Sequence, residues 1–299
     1  MMYKSFLFAT LLFVGFSIHG YSQDLMDMFK DTDPSTTDYT SATFKATRLA
    51  TGHSIENPAS GTMIFLLSHR FGALNSGAYD FWGLDKATMR LGFEYGINDW
   101  LACGFGRSTY EKTYDGFLKG KVLRQSTGKK NMPITLTVFA STSVNSLRWA
   151  DPARGNYETS RFSYCFQGLI ARKFSNDLSL QLMPSVVHHN LVPKAADHND
   201  IISVGAGGRY KLSQRVSVNA EYYYTPSGQV SWKYTNCFSI GMDVETGGHV
   251  FQLICTNTQA QFEQNFLTKT TGKWSKGDIY FGFNLSRSFT IKKPKAFKE

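Results

Sequence analysis

Once its first twenty-two residues are set aside, the 299-residue chain lacks any apolar run of eighteen residues, so it contains no helix built to cross a bilayer. No cysteine lies near residue 22, so no lipoprotein anchor is expected there. The four cysteines, Cys103, Cys165, Cys237 and Cys255, stand far apart, each inside an alternating segment. They read as small apolar fillers rather than as a paired framework, although an exported chain would meet conditions that permit disulfides. Charged residues are only 18 % of the chain and the mean hydropathy is −0.26. A polar mean does not exclude a membrane, because a barrel strand shows lipid only every second residue.

What the chain has instead is a period of two. In the last apolar segment, Asp278–Phe289, the residues Ile279, Phe281, Phe283, Leu285 and Phe289 alternate with Tyr280, Gly282, Asn284, Ser286 and Ser288, broken only by Arg287. Such spacing puts one face of a strand in an apolar medium and the other in a polar one. The length suits a tilted strand crossing a bilayer, which takes about 9–11 residues. Aromatics at 15 % and 26 glycines fit interfacial girdles and close packing inside a barrel.

The beginning of the chain is of a different kind. Lys4, the apolar run Phe6–Phe16 and small residues at Gly20 and Ser22 read as a signal peptide over residues 1–22. Residues 23–42 carry Asp24, Asp27, Asp31, Asp33 and Asp38 and read as a flexible acidic leader. Residues 43–61 lack clean alternation, which leaves two readings open: a cap, or a segment entering the barrel mouth.

From Thr62 to Phe289 the alternation repeats about twelve times. It places Arg90, Glu94, Lys119, Lys121, Arg209, Lys211, Glu221, Asp243 and Glu245 on the inner face as lumen-lining candidates. Short links at Asn98-Asp99, Ser175–Asp177, Ser213–Arg215 and Gly247-Gly248 alternate with longer ones at Gly72–Lys86, Arg148–Thr159, Pro193–Asp200, Pro226–Lys233 and Asn265–Gly277. Short periplasmic turns and long outer loops are the rule for outer-membrane barrels. The expectation is an all-β, antiparallel, up-and-down transmembrane barrel over residues 62–289 with both termini periplasmic, followed by a basic tail over 290–299. A soluble sandwich or lipocalin-like barrel would alternate too, but has no need of polar residues on one face through so many strands. The net charge of +9 owes much to Lys292, Lys293, Lys295 and Lys298 in that tail. It suits anionic headgroups, and nucleic acid is not expected as a partner of an exported chain.

The block Phe44–Gly72 (FKATRLATGHSIENPASGTMIFLLSHRFG), the stretch Gly83–Leu101 (GLDKATMRLGFEYGINDWL), the GRS at Gly106–Ser108 and the end from His249 to Phe289 resemble a family of Bacteroidota outer-membrane β-barrel proteins. The resemblance implies location and architecture and carries no activity, so it names no catalytic residue.

Arg48, His53, His69 and Arg70, all in the first of those blocks, are candidates for tying the N-terminal segment into the lumen as a plug. His188-His189 with Asp197, His198 and Asp200 has the composition of a metal site, but adjacent histidines on a strand point to opposite faces, so no metal or other cofactor is expected. A barrel hydrolase needs a serine and a histidine on the lipid face near the outer rim. Ser160 and His188 come nearest, without a third orienting residue. The glycines of GAGGRY (Gly205–Tyr210) make room inside the barrel rather than cradle a phosphate, since no strand–helix unit follows them. Outer-membrane lipid is the expected surrounding. The expected function is a non-enzymatic, porin-like channel for a small solute, with a closed docking barrel in an envelope complex as the alternative and a lipid hydrolase as a distant third.

Overall fold

Residues that alternate in polarity form stable sheets only where both faces find their medium, and a sheet in lipid must close to satisfy its edges. The computed structural model describes residues 35–292 apart from Arg154, Pro193, Ala195 and Ala196. The expected signal peptide, most of the acidic leader and most of the basic tail lie outside the described residues.

Twelve antiparallel strands form one closed barrel among the described residues. They are β1 (Thr62–Ala73), β2 (Ala87–Gly96), β3 (Leu101–Ser108), β4 (Thr113–Leu123), β5 (Thr135–Asn145) and β6 (Phe162–Lys173) in the first half. The second half has β7 (Leu178–His189), β8 (Asp200–Lys211), β9 (Val216–Tyr224), β10 (Cys237–Thr246), β11 (His249–Thr256) and β12 (Tyr280–Thr290). Neighbours in sequence are neighbours in space, and β12 closes on β1 from Tyr280↔Ala73 to Thr290↔Thr62. A smaller unit gathers residues 35–38 with Thr127–Asn131, where the Lys129 N–H donates to the Thr36 carbonyl at 2.9 Å.

Burial follows the alternation. On β2, Leu91 and Phe93 are 41 % and 47 % exposed, while Arg90 and Glu94 are each 1 % exposed. Such an arrangement is stable only if the outer face meets hydrocarbon, because an aqueous protein would bury the aromatic row and hydrate the ions.

Three details differ from the sequence pattern. The inner face is not uniformly polar: Phe117, Phe139, Leu169, Met183, Val187 and Tyr223 point inward and are buried. The link 124–134 is long although it lies on the short-turn side, and the link 109–112 is short although it lies opposite. Two stretches of chain also run inside the barrel, residues 43–61 and residues 257–272, which is why so many inward side chains have no access to water.

Candidate functional site

The lower segment, residues 43–61, enters from the short-turn end as a hairpin. Arg48 and His53 form an antiparallel bridge, and the Leu49 N–H donates to the Gly52 carbonyl at 2.9 Å, so the tip is Leu49–Gly52. A tight tip is required: a Cβ at Gly52 would lie 1.9 Å from the Tyr223 hydroxyl oxygen. The wall makes room in the same way at Gly207, where a Cβ would meet Leu49 Cδ2 at 2.4 Å.

Up to Glu56 the backbone of the hairpin is bonded by side chains of the wall, and at its exit Ser60 bridges Gly96 of β2. Glu221 accepts from the Thr51 N–H at 2.6 Å and the Gly52 N–H at 3.1 Å. Gln181 accepts from the Ile55 N–H at 2.9 Å and donates to the His53 carbonyl at 2.8 Å. Asn284 donates to Ala50, Gln252 to Arg48 and Leu49, Lys119 to Ser54 and Glu56, and Arg209 to Ala42 and Thr43. Ion pairs join Lys45 to Glu245 and, at 3.8 Å, Glu56 to Lys121.

The upper segment enters from the opposite end, between β11 and β12, and contains the one-and-a-half-turn helix α1 (Glu263–Thr268), buried at every residue. Its contacts are mainly amides and hydroxyls. Gln259 donates to the Phe71 carbonyl, Gln264 to Ser141 Oγ at 2.9 Å and Asn265 to Glu111 at 3.0 Å, and Thr268 Oγ1 lies 3.0 Å from His189 Nε2. Phe266 packs on Tyr223 with ring centres 5.1 Å apart, inside an apolar cluster that includes Leu49, Ile55, Phe117, Phe139 and Met183.

The two segments meet at Glu263. Its Oε1 lies 3.5 Å from Arg48 Nη1 and 3.8 Å from His53 Nε2, and Arg48 Nη2 lies 3.5 Å from Glu94 Oε1. Next to them Arg90 Nε donates to Asp115 Oδ1 at 2.8 Å. Burial pushes the Glu263 carboxyl up to about 7 against the pull of Arg48. Burial, with the positive charges of Arg48, Lys119 and Arg90, holds His53 well below its usual 6.5. The imidazole is therefore neutral and is wedged between Phe117 and Phe139 at 4.5 and 4.4 Å.

The model of the family described as a membrane bound beta barrel domain (DUF5777) matches residues 44–289. The chain belongs to that family. No curated protein matches it in sequence. In fold, this DUF5777 barrel is similar to the NanC porin, with 9 % identity, 76 % of this chain and 98 % of that one covered, and a TM-score of 0.47. It is also similar to the KdgM porin, with 10 % identity, coverage of 76 % and 99 %, and a TM-score of 0.45. The outer membrane phospholipase A of Escherichia coli is similar at 13 % identity, coverage of 78 % and 90 %, and a TM-score of 0.40. The family match, not these distant likenesses, carries the assignment.

In this DUF5777 barrel the nine lumen-lining candidates all fall on inward rows. Arg90, Glu94, Lys119 and Glu221 are at the buried centre, and Lys211 and Glu245 are near the short-turn rim. Arg48 and His53 are in the hairpin itself, and Arg70 faces inward and donates to Asn284 Oδ1 at 3.1 Å. His69 does not join them. It faces outward and stacks on Phe283 at 5.1 Å, because neighbouring residues of a strand take opposite faces. His188 bonds Asp200 at 2.7 Å on the outer surface rather than Ser160, which lies in the turn Glu158–Arg161. Sequence reading passed over Asp115 and Glu263. Counting back by twos from Lys119 reaches Asp115, whereas Glu263 lies in a stretch with no period to count.

Proposed function

We propose that this barrel resides in the outer membrane with its short turns toward the periplasm, and that it is a non-enzymatic channel for a small polar solute, held closed by its own hairpin. The observation that carries the reading is the polar contact between hairpin and wall. A lumen that stays filled gains more from apolar lining, since burying ions costs more than pairing them returns. Among the described residues, both carboxylate oxygens of Glu94 and Arg48 Nε find no hydrogen-bond partner. Water satisfies all of them once the hairpin withdraws. Withdrawal also strips Glu263 of Arg48, which drives the upper segment toward solvent and opens the second closure.

The upper segment favours one other reading, a closed docking barrel, because its contacts resemble those of a permanent filling. Planar-bilayer conductance and liposome uptake of Gly52→Leu separate the two. The added side chain has no room beside Tyr223, so the hairpin cannot seat. The parent protein is expected to open rarely, and the variant to conduct at roughly tenfold higher open probability or more, the effect of only about 1.4 kcal/mol on the closed state. A variant that still shows heat-modifiable barrel migration on gels but stays silent would defeat the channel reading and leave the docking barrel.

A further inference from the structure

The outward surface carries a feature that closure of the lumen does not use. On the face of β6 to β10 there is an apolar groove of about 830 Å³. Its origin lies in the register. Leu180, Gly208, Ala220 and Ile240 stand opposite one another on four consecutive strands. The two bulky residues are thus three strand spacings apart, about 14 Å, with only a glycine and an alanine between them. In the next row Ala206 repeats the gap between Leu182 and Tyr222.

The groove runs along β8 from Tyr210 to Ala206, four residues or about 13 Å, close to half of the ~30 Å hydrocarbon core. Its depth is therefore that of one leaflet, measured from the short-turn end. At that end the lining includes Arg172, the penultimate residue of β6, which points outward and stands across the ladder from Leu180. Its guanidinium lies 5.1 Å from the Phe174 ring centre, and no carboxylate among the described residues pairs with it. An unpaired cation on a lipid-facing wall reaches for the interface and takes an anion there.

We infer that the groove is a binding site for one anionic phospholipid of the leaflet at the short-turn end, with an acyl chain over Gly208 and Ala220 and the phosphate at Arg172. A neutral groove end would give no preference among headgroups; Arg172 supplies one. The site is independent of whether the lumen conducts.

Native mass spectrometry of the full-length barrel tests this, after extraction from nanodiscs of equal phosphatidylglycerol and phosphatidylethanolamine. One retained phospholipid per barrel is expected, with phosphatidylglycerol favoured about fivefold, the worth of one cation near an anionic surface. Arg172→Gln should remove the preference while leaving retention of a lipid. Ala220→Phe, which fills the groove yet keeps an apolar residue toward lipid, should abolish retention in a barrel that still migrates as folded. Retention that is absent from the parent protein, or equal in all three proteins, overturns the site. So does a dimer mass that Ala220→Phe converts to monomer, because the groove would then seat a second copy.

Discussion

The two segments inside the barrel fill the same lumen in different ways. Besides Leu49 and Ile55 in the apolar cluster, the hairpin 43–61 is held by wall side chains that carry charge or strong dipoles, among them Glu221, Lys119, Arg209 and Gln181, and it is tied to the barrel covalently only through β1. The upper segment is continuous with strands at both ends and is held by neutral amides and by Phe266. Contacts to ions are replaced by water at small net cost, whereas apolar packing is not. The difference therefore makes the hairpin the moving part and the upper segment the part that follows.

Phe266→Ala against Gly52→Leu is the widest way to break that contrast. Emptying the buried Phe266 site is expected to cost about 3–5 kcal/mol in thermal or denaturant unfolding, yet to leave the hairpin seated and the conductance at the parent level. Gly52→Leu should do the reverse, opening the pore with the barrel's own unfolding little changed. Should Phe266→Ala open the pore as readily, the two segments would be one closure and the distinction would be lost.

Arg48→Met sharpens the same comparison at its point of contact. Removing the cation takes from Glu94 and Glu263 the ion-pair partner that each meets at 3.5 Å, a loss of at most about 3–5 kcal/mol to the closed state. Open probability should rise steeply in bilayer recordings, and the added substitution Glu263→Gln should recover part of the closure. Absence of any recovery would mean that Arg48 acts through packing on Phe117, 6.0 Å from its guanidinium, and not through Glu263.

The barrel was legible because alternation is local: each strand separates two media, and its side chains record that one position at a time. Arg90 and Glu94 could be placed inward from residues 88–97 alone. The hairpin separates no media. Buried without a break from Thr47 to Ile55, TFKATRLATGHSIENPASG has no face to leave a period on, and the amide-rich TNTQAQFEQNFLTKTTG reads as an ordinary outer loop for the same reason. Partners such as Glu221 with Thr51 stand 170 residues apart, a distance no pattern within a strand can bridge. His69 is the case where the local rule sufficed: the alternation that separates His188 from His189 also separates His69 from Arg70.

The finest test of the coupling is pH, because the two ionisable groups at the contact pull in opposite directions. Glu263 holds its proton up to about 7 when closed, and only to about its ordinary 4.5 once solvated, so closure weakens as pH rises from 4.5 to 7. His53 stays neutral when closed and takes a proton below 6.5 once solvated, so closure weakens as pH falls below 6.5. Below 6.5 the two slopes oppose each other, so the parent protein's open probability should vary less there than on the rise toward pH 7. Glu263→Gln leaves the histidine slope alone. That variant should close progressively as pH rises from 4.5 to 6.5 and stay closed above, by at most about 3 kcal/mol across the window. Parent and variant with parallel pH profiles would show that the upper segment does not sense the hairpin through this carboxylate, and would return it to the status of a fixed filling.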